Sequence, residues 1–167
     1  MKTFNGPLSA ARTKRIKAQG YQSYTNTEIA ELAFGNRFAY IVCTSFLIPG
    51  ILTANLTLLM SMAMVAFLSV ILPHHLFDYL YNYGVRKILD KPQLPPRSQQ
   101  LKFACAIASI WIIATSTLFL FDFYGAAYVL GAALAAIAVT VSTTDFCLPS
   151  LIYNALFKTN STQKVAS

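Results

Sequence analysis

The chain has 167 residues, 56% of them hydrophobic and 11% charged, with a formal net charge of +7. A soluble domain carries about 25% charged residues, so the composition excludes an ordinary water-soluble globule and points to lipid as the solvent. It also argues against a nucleic-acid reader, which spreads Lys and Arg over one folded face; here they sit in short patches between long apolar runs, as in membrane proteins.

Residues 1–24 are basic, polar and poor in large aliphatics, and read as an extended or partly ordered arm. Its cluster RTKRIK offers Arg12, Lys14, Arg15 and Lys17 to anionic lipid headgroups. The first apolar run begins only at Phe38, too late for a signal-peptide pattern. Residues 25–35 carry a capping box, Thr25 with Glu28, and a short stripe of Ile29, Leu32 and Phe34. This segment is expected to be an interfacial helix leading into the first span.

Four apolar runs follow, giving spans at about 36–54, 56–77, 101–121 and 123–146. Each is near the roughly 20 residues needed to cross a hydrocarbon core. None shows a polar face at the helical period, and lipid requires the backbone to bond within itself. The expected fold is an all-α integral membrane protein, with four transmembrane helices in two antiparallel hairpins over residues 36–157. Residues 78–100 form a polar linker stiffened by Pro92, Pro95 and Pro96, and residues 158–167 form a C-terminal tail. Every Lys and Arg lies in the arm, the linker, the tail or the borders of the spans, so both termini and the linker are assigned to the cytoplasmic side. The hairpins resemble distant copies: RFAYIVC and KFACAIA open them, and LPHHLFDYLYN and LPSLIYN close them.

The last span is rich in small residues. Ala127, Gly131 and Ala135 recur at four-residue spacing and form a face for close helix packing, within the chain or with a partner. Thr115, Ser116, Thr117, Thr140 and Ser142 are expected to bond back to their own helices.

Cys43, Cys105 and Cys147 fall near one depth, with His74, His75 and Asp78 close in level. Such a set suits a soft metal or sulfur chemistry, with Cys147 the candidate thiol and His74 and His75 weak metal candidates. The structural alternative is buried cysteines acting as small apolar residues, histidines reaching for the headgroups, and Asp78 paired with Arg86 or Lys87. There is no C-x-x-C and no H-x-x-x-H, so no ligand spacing is specific, and no cofactor is assigned. Asp145, at the inner edge of the last span, is a candidate intramembrane charge, with Arg37 or Lys102 as partner and either a structural pair or an ion path as its role.

Asn36 and Arg37 at the start of the first span, Phe146 and Cys147 at the end of the last, and Tyr153 beyond them resemble an uncharacterised bacterial membrane family, the domain of unknown function 4395. The resemblance covers about residues 34–157. It implies four helices in two hairpins, a basic central loop, a bacterial inner-membrane location, and a Phe-Cys-x-x-Cys motif ending the last helix. Here Ser150 stands in place of the second cysteine, after Pro149. A dithiol exchange in relatives would therefore not close here, though Cys147 would still form a mixed disulfide or persulfide.

Three functions compete. The first is a non-catalytic accessory or structural subunit packing against a larger membrane complex or into a homo-oligomer. The second is a thiol- or sulfur-handling membrane protein using Cys147, with Cys43 and Cys105 as helpers. The third is a small transporter built on Asp145. No catalytic set is complete.

Overall fold

The computed structural model describes residues 8–157, and is all-helical among them. The first seven residues and the expected tail 158–167 lie outside the described residues. The helices are α1 (Ala10–Ala18), α2 (Asn26–Leu52), α3 (Leu56–Ile71), α4 (Leu76–Leu80), a π-helical turn (Tyr81–Val85), α5 (Arg86–Leu89), α6 (Gln99–Leu120), α7 (Tyr124–Thr144) and α8 (Leu148–Phe157).

Three of these, α2, α6 and α7, are long and apolar enough to cross a membrane; a fourth crossing exists if α3 and the helical stretch Leu76–Leu89 count as one broken span. The architecture is compatible with a multi-pass membrane protein. Outward faces carry Met64, Phe67, Ile71, Ile110 and Val129, all more than half exposed. Side chains so apolar and so uncovered match a lipid surround better than water.

Local chemistry sets most helix ends. Ser9 caps α1 by accepting the Arg12 N–H, and Thr25 forms the expected reciprocal box with Glu28. Asn55 caps α3 and Ser98 caps α6. Gly20, at φ +106°, turns the chain out of α1, and a Cβ there would strike Ser98.

Several expectations are refined. The described part of the arm is ordered: α1 is helical, and Ile16 is fully buried in a core with Tyr21, Ile29, Leu32, Tyr81 and Leu101. The stretch 25–35 is no separate helix: α2 runs unbroken from Asn26, with Ile29 and Leu32 of the stripe buried in that same core and Phe34 exposed. The second span does not run straight to residue 77. Pro73 forces Leu72 into an extended conformation, and the following helix leaves at 80°. The Pro-rich linker, expected to be stiff, is also packed on the bundle: the Asn82 side chain pairs with both the N–H and the carbonyl of Leu94, and Leu94 is buried.

A second core gathers Leu47, Ile51, Leu59, Ile112, Phe119 and Leu134. Neighbours in sequence touch, α2 with α3 and α6 with α7, but the widest contacts join α3 to α6 and α2 to α7. The small-residue face of α7 is used within the chain. Ala127 is fully buried, Ala135 packs on the second core, and a Cβ on Gly131 would stand 2.9 Å from Ile51 Cγ2. Gly131→Leu is therefore expected to force α2 and α7 apart at a cost of about 1–3 kcal/mol. Thermal unfolding in detergent measures this, and an unchanged midpoint would mean the α2–α7 contact is looser than described.

Candidate functional site

Three structures meet at one end of the bundle, and the first is built on Asp145. α7 has no basic residue in its last turn, so the partial negative charge of its open carbonyls needs partners from elsewhere. Arg37 of α2 donates to the Thr143 carbonyl and Arg15 of α1 to the Thr144 carbonyl. Asp145 follows in the left-handed region, at φ 58°, and is 1% exposed. Its carboxylate accepts Arg37 Nε at 2.8 Å and Nη2 at 2.7 Å, and Arg12 Nε at 2.5 Å. Of the two expected partners Arg37 is present and Lys102 is replaced by Arg12.

Behind the carboxylate runs a buried polar chain. Gln19 Nε2 donates to the Asp145 carbonyl at 2.7 Å, Asn36 Nδ2 donates to Gln19 Oε1 at 3.1 Å, and the Tyr21 hydroxyl donates to Asn36 Oδ1 at 3.2 Å. Burial pushes the Tyr21 hydroxyl up to about 12, so it keeps the proton this bond requires. Asn154 of α8 donates to the Ala18 carbonyl and accepts from Gln100 of α6. Arg12 and Arg15, expected at lipid headgroups, each bond to the end of α7, Arg12 half-buried and Arg15 exposed, as is Lys14.

The second structure is a buried ion pair at the bend after α3. Arg97 Nε donates to Asp78 Oδ2 at 2.7 Å and Nη2 to Oδ1 at 2.9 Å. The two side chains are 3% and 2% exposed. This replaces the expected pairing of Asp78 with Arg86 or Lys87; Arg86 instead donates to the Asn82 carbonyl. Burial opposes the charge on Arg97, but Asp78 outweighs it and holds the guanidinium well above its ordinary range. Arg97 also packs over the Tyr40 ring at 5.4 Å, and its backbone N–H donates to the Pro73 carbonyl.

His75 is not at the headgroups. It is 4% exposed and caps α4: its N–H donates to Asp78, and its Nδ1 accepts the Phe77 N–H at 3.2 Å. The proton of the neutral ring therefore sits on Nε2, which lies 3.7 Å from the Cys43 sulfur. His74 stacks edge-on against Tyr79, and its buried Nδ1 has no partner among the described residues. No cluster of three or more His, Cys, Asp or Glu among the described residues is placed to hold a metal ion.

The third structure is a cavity of about 140 Å³. Cys43 from α2, Cys105 from α6 and Cys147 from the α7–α8 junction all line it, with His75. The chain contains three cysteines, and the fold brings every one of them to this wall as a free thiol. Most of the remaining wall is aliphatic, with the single tryptophan, Trp111, among it. Tyr40 and Thr44 also line the cavity, and sequence reasoning missed both. Neither buried hydroxyl has a partner among the described residues.

Cys147 has a setting its two companions lack. It stands immediately before α8, and Ser150, fully buried, donates its hydroxyl to the Cys147 sulfur at 3.1 Å. Burial raises the Cys147 pKa, and the bonds from Ser150 oppose that rise. The resting group is a neutral thiol with a hydroxyl donor aimed at the sulfur.

The family described as Domain of unknown function (DUF4395) matches residues 34–158. The chain belongs to this family. No curated protein and no solved structure matches the chain. The DUF4395 match begins within α2, at Phe34, and runs through α8, taking in the cavity and Asp145. Arg12, Gln19 and Tyr21 therefore reach into the DUF4395 region from outside it. Asn36 and Arg37, the pair that carried the resemblance, work on two sides of Asp145: Asn36 through Gln19 on its carbonyl, Arg37 on its carboxylate.

Proposed function

We propose that this DUF4395 protein is a multi-pass inner-membrane protein, with both termini and the linker on the cytoplasmic side, that exchanges small neutral sulfur compounds at Cys147. The observation that carries this reading is the convergence of all three cysteines and His75 on one apolar cavity. Cys43 and Cys105 supply a soft, polarisable wall. The exchange is thiol–disulfide chemistry: the Cys147 sulfur bonds to one sulfur of the incoming compound, that compound's S–S bond breaks, and the second sulfur leaves as a thiol carrying the proton. Before attack Cys147 gives up its proton, and the Ser150 hydroxyl, donating to the sulfur, favours the thiolate that attacks.

The accessory-subunit reading loses its main support, because the small-residue face of α7 is already occupied by Ile51. The transporter reading needs a path to Asp145, which does not line the cavity and is held by two arginines.

The test is methylthiolation of the full chain in detergent with methyl methanethiosulfonate, a small neutral exchange reagent, followed by peptide mass spectrometry. Cys147 is expected to react first. Ser150→Ala is expected to slow it roughly tenfold, the value of about 1.5 kcal/mol for a bond to a charged group. Labelling that appears only after unfolding, or equally at all three cysteines, would sink the reading.

A further inference from the structure

Two helical stretches outside the long helices carry their polarity inside out. A helix on the surface of a water-soluble protein turns apolar side chains inward and polar ones outward. The stretch Leu76–Leu89 reverses this. Asp78 and Asn82 are buried, paired with Arg97 and with the Leu94 backbone, while Leu80, Tyr83 and Ile88 stand exposed. α8 repeats the pattern. Ser150 is fully buried and Asn154 bonds to the Ala18 carbonyl and to Gln100, while Leu148, Leu151, Ile152 and Leu156 are exposed at the three- and four-residue spacing of one helix face.

The two stretches hold equivalent places. Each follows a long apolar helix and a Leu-Pro step, and each presents a Tyr-Asn pair to the bundle. Tyr81 packs on Phe38 with 5.7 Å between ring centres, and Tyr153 packs on Phe103 with 5.5 Å. Phe38 and Phe103 occupy the same position in the matching hairpin openings RFAYIVC and KFACAIA. The fold thus ends both hairpins with the same device.

We propose that both stretches lie in the plane of the membrane at its cytoplasmic face, with their outward apolar side chains set among the upper parts of the lipid acyl chains. This placement rests on the multi-pass reading and fixes where the lipid boundary runs around the bundle. Lipid, rather than a partner chain, is what these faces fit. The first stretch leaves α3 at 80°, so a span along the membrane normal sends it nearly parallel to the surface. It follows directly on the exposed apolar surface of α3, Met64, Phe67 and Ile71. Cations stand beside both faces, ready for headgroup phosphates: Lys87 is exposed near the end of the first stretch, and exposed Arg15 of α1 lies over the Phe146 ring just before α8. A helix so placed sinks its apolar face about 5–10 Å into the boundary between headgroups and acyl chains.

The test adds one tryptophan at a time to the full chain in vesicles of phosphatidylcholine and phosphatidylglycerol. The parent, whose single tryptophan is Trp111, sets the baseline. The quenchers are lipids brominated either high on the acyl chains or near the chain ends. Met64→Trp, exposed and midway along α3, is the control for the membrane core and is expected to be quenched more by chain-end bromine. Leu80→Trp and Ile152→Trp are expected to be quenched about twofold more by the high label than by the chain-end label, as an interfacial depth gives. Both positions are exposed, so neither substitution disturbs a core. Stronger quenching by chain-end bromine at either position would mean a helix that dips toward the bilayer centre, and overturns the proposal. So does a lack of quenching at either position while Met64→Trp responds, which would mean that protein or water covers that face. A Met64→Trp chain that resists both labels removes the multi-pass reading itself, and the proposal with it.

Discussion

Asp78→Asn is expected to destabilise the protein by about 4–5 kcal/mol, the upper part of the range for breaking a buried ion pair. The reason is Arg97. Its side chain is 3% exposed and pairs with Asp78 through two parallel hydrogen bonds. Removing the carboxylate charge strands a guanidinium that has no route to water, and Arg97 Nη1 already lacks a partner among the described residues. Asparagine keeps the size and the cap on His75, so the loss reports charge rather than shape. The paired replacement Asp78→Leu with Arg97→Met removes both ions and is expected to recover most of the loss. Arg97→Lys is not expected to substitute, because an ammonium cannot span both carboxylate oxygens in this geometry. Chemical unfolding followed by circular dichroism measures all three. A double variant as unstable as Asp78→Asn would mean that the hydrogen bonds of Asp78, not the buried charge, hold the bend after α3.

Asp145→Asn is the second large effect, at about 3 kcal/mol. The carboxylate side chain is fully buried, but Arg12 and Arg37 remain 29% and 21% exposed, so water screens part of the loss and the low end of the range applies. Asparagine tolerates the left-handed backbone at this position, which isolates the charge. At roughly 2–4 °C per kcal/mol for a chain of this size, the melting temperature should fall by about 6–12 °C. Arg37→Gln should cost more than Arg12→Gln, because Arg37 makes a two-point contact and also holds the Thr143 carbonyl. The reverse order would show that α1, not α2, anchors the end of α7.

The long helices were legible because lipid leaves little choice: a run of twenty apolar residues has to bond within itself. The caps Thr25–Glu28 and the hydroxyls of α6 and α7 were legible for the same local reason, since their partners lie three or four residues away. The signals for α1 were present but weak. Ser9 stands at its start, basic residues fill its last turn and Gly20 follows it, yet a basic composition resembles a disordered arm until Ile16 and Gln19 find their places. Pro73 announced a helix end, but not an 80° bend, whose direction is set by Arg97 reaching the Pro73 carbonyl and Asp78 across the linker. Arg97 itself was hidden among prolines and read as polar spacer. The shared depth of the thiols was visible by counting along helices. That they face one cavity was not, because rotation about each helix axis is fixed by packing. Thr44 and Tyr40 left no trace at all: a hydroxyl without a partner is a property of the folded molecule.

Arg12 and Asp145 are 133 residues apart in sequence. While the chain emerges from the ribosome, Arg12 and Arg37 are made early and the carboxylate they share arrives near the end. Until then these two cations lack that partner, and the nascent bundle holds a concentrated positive end. Completion of α7 closes that end in one event, binding the first helix of the chain to the last span. A truncated product that stops before Asp145 would lack this closure and leave Arg12 and Arg37 without their shared carboxylate.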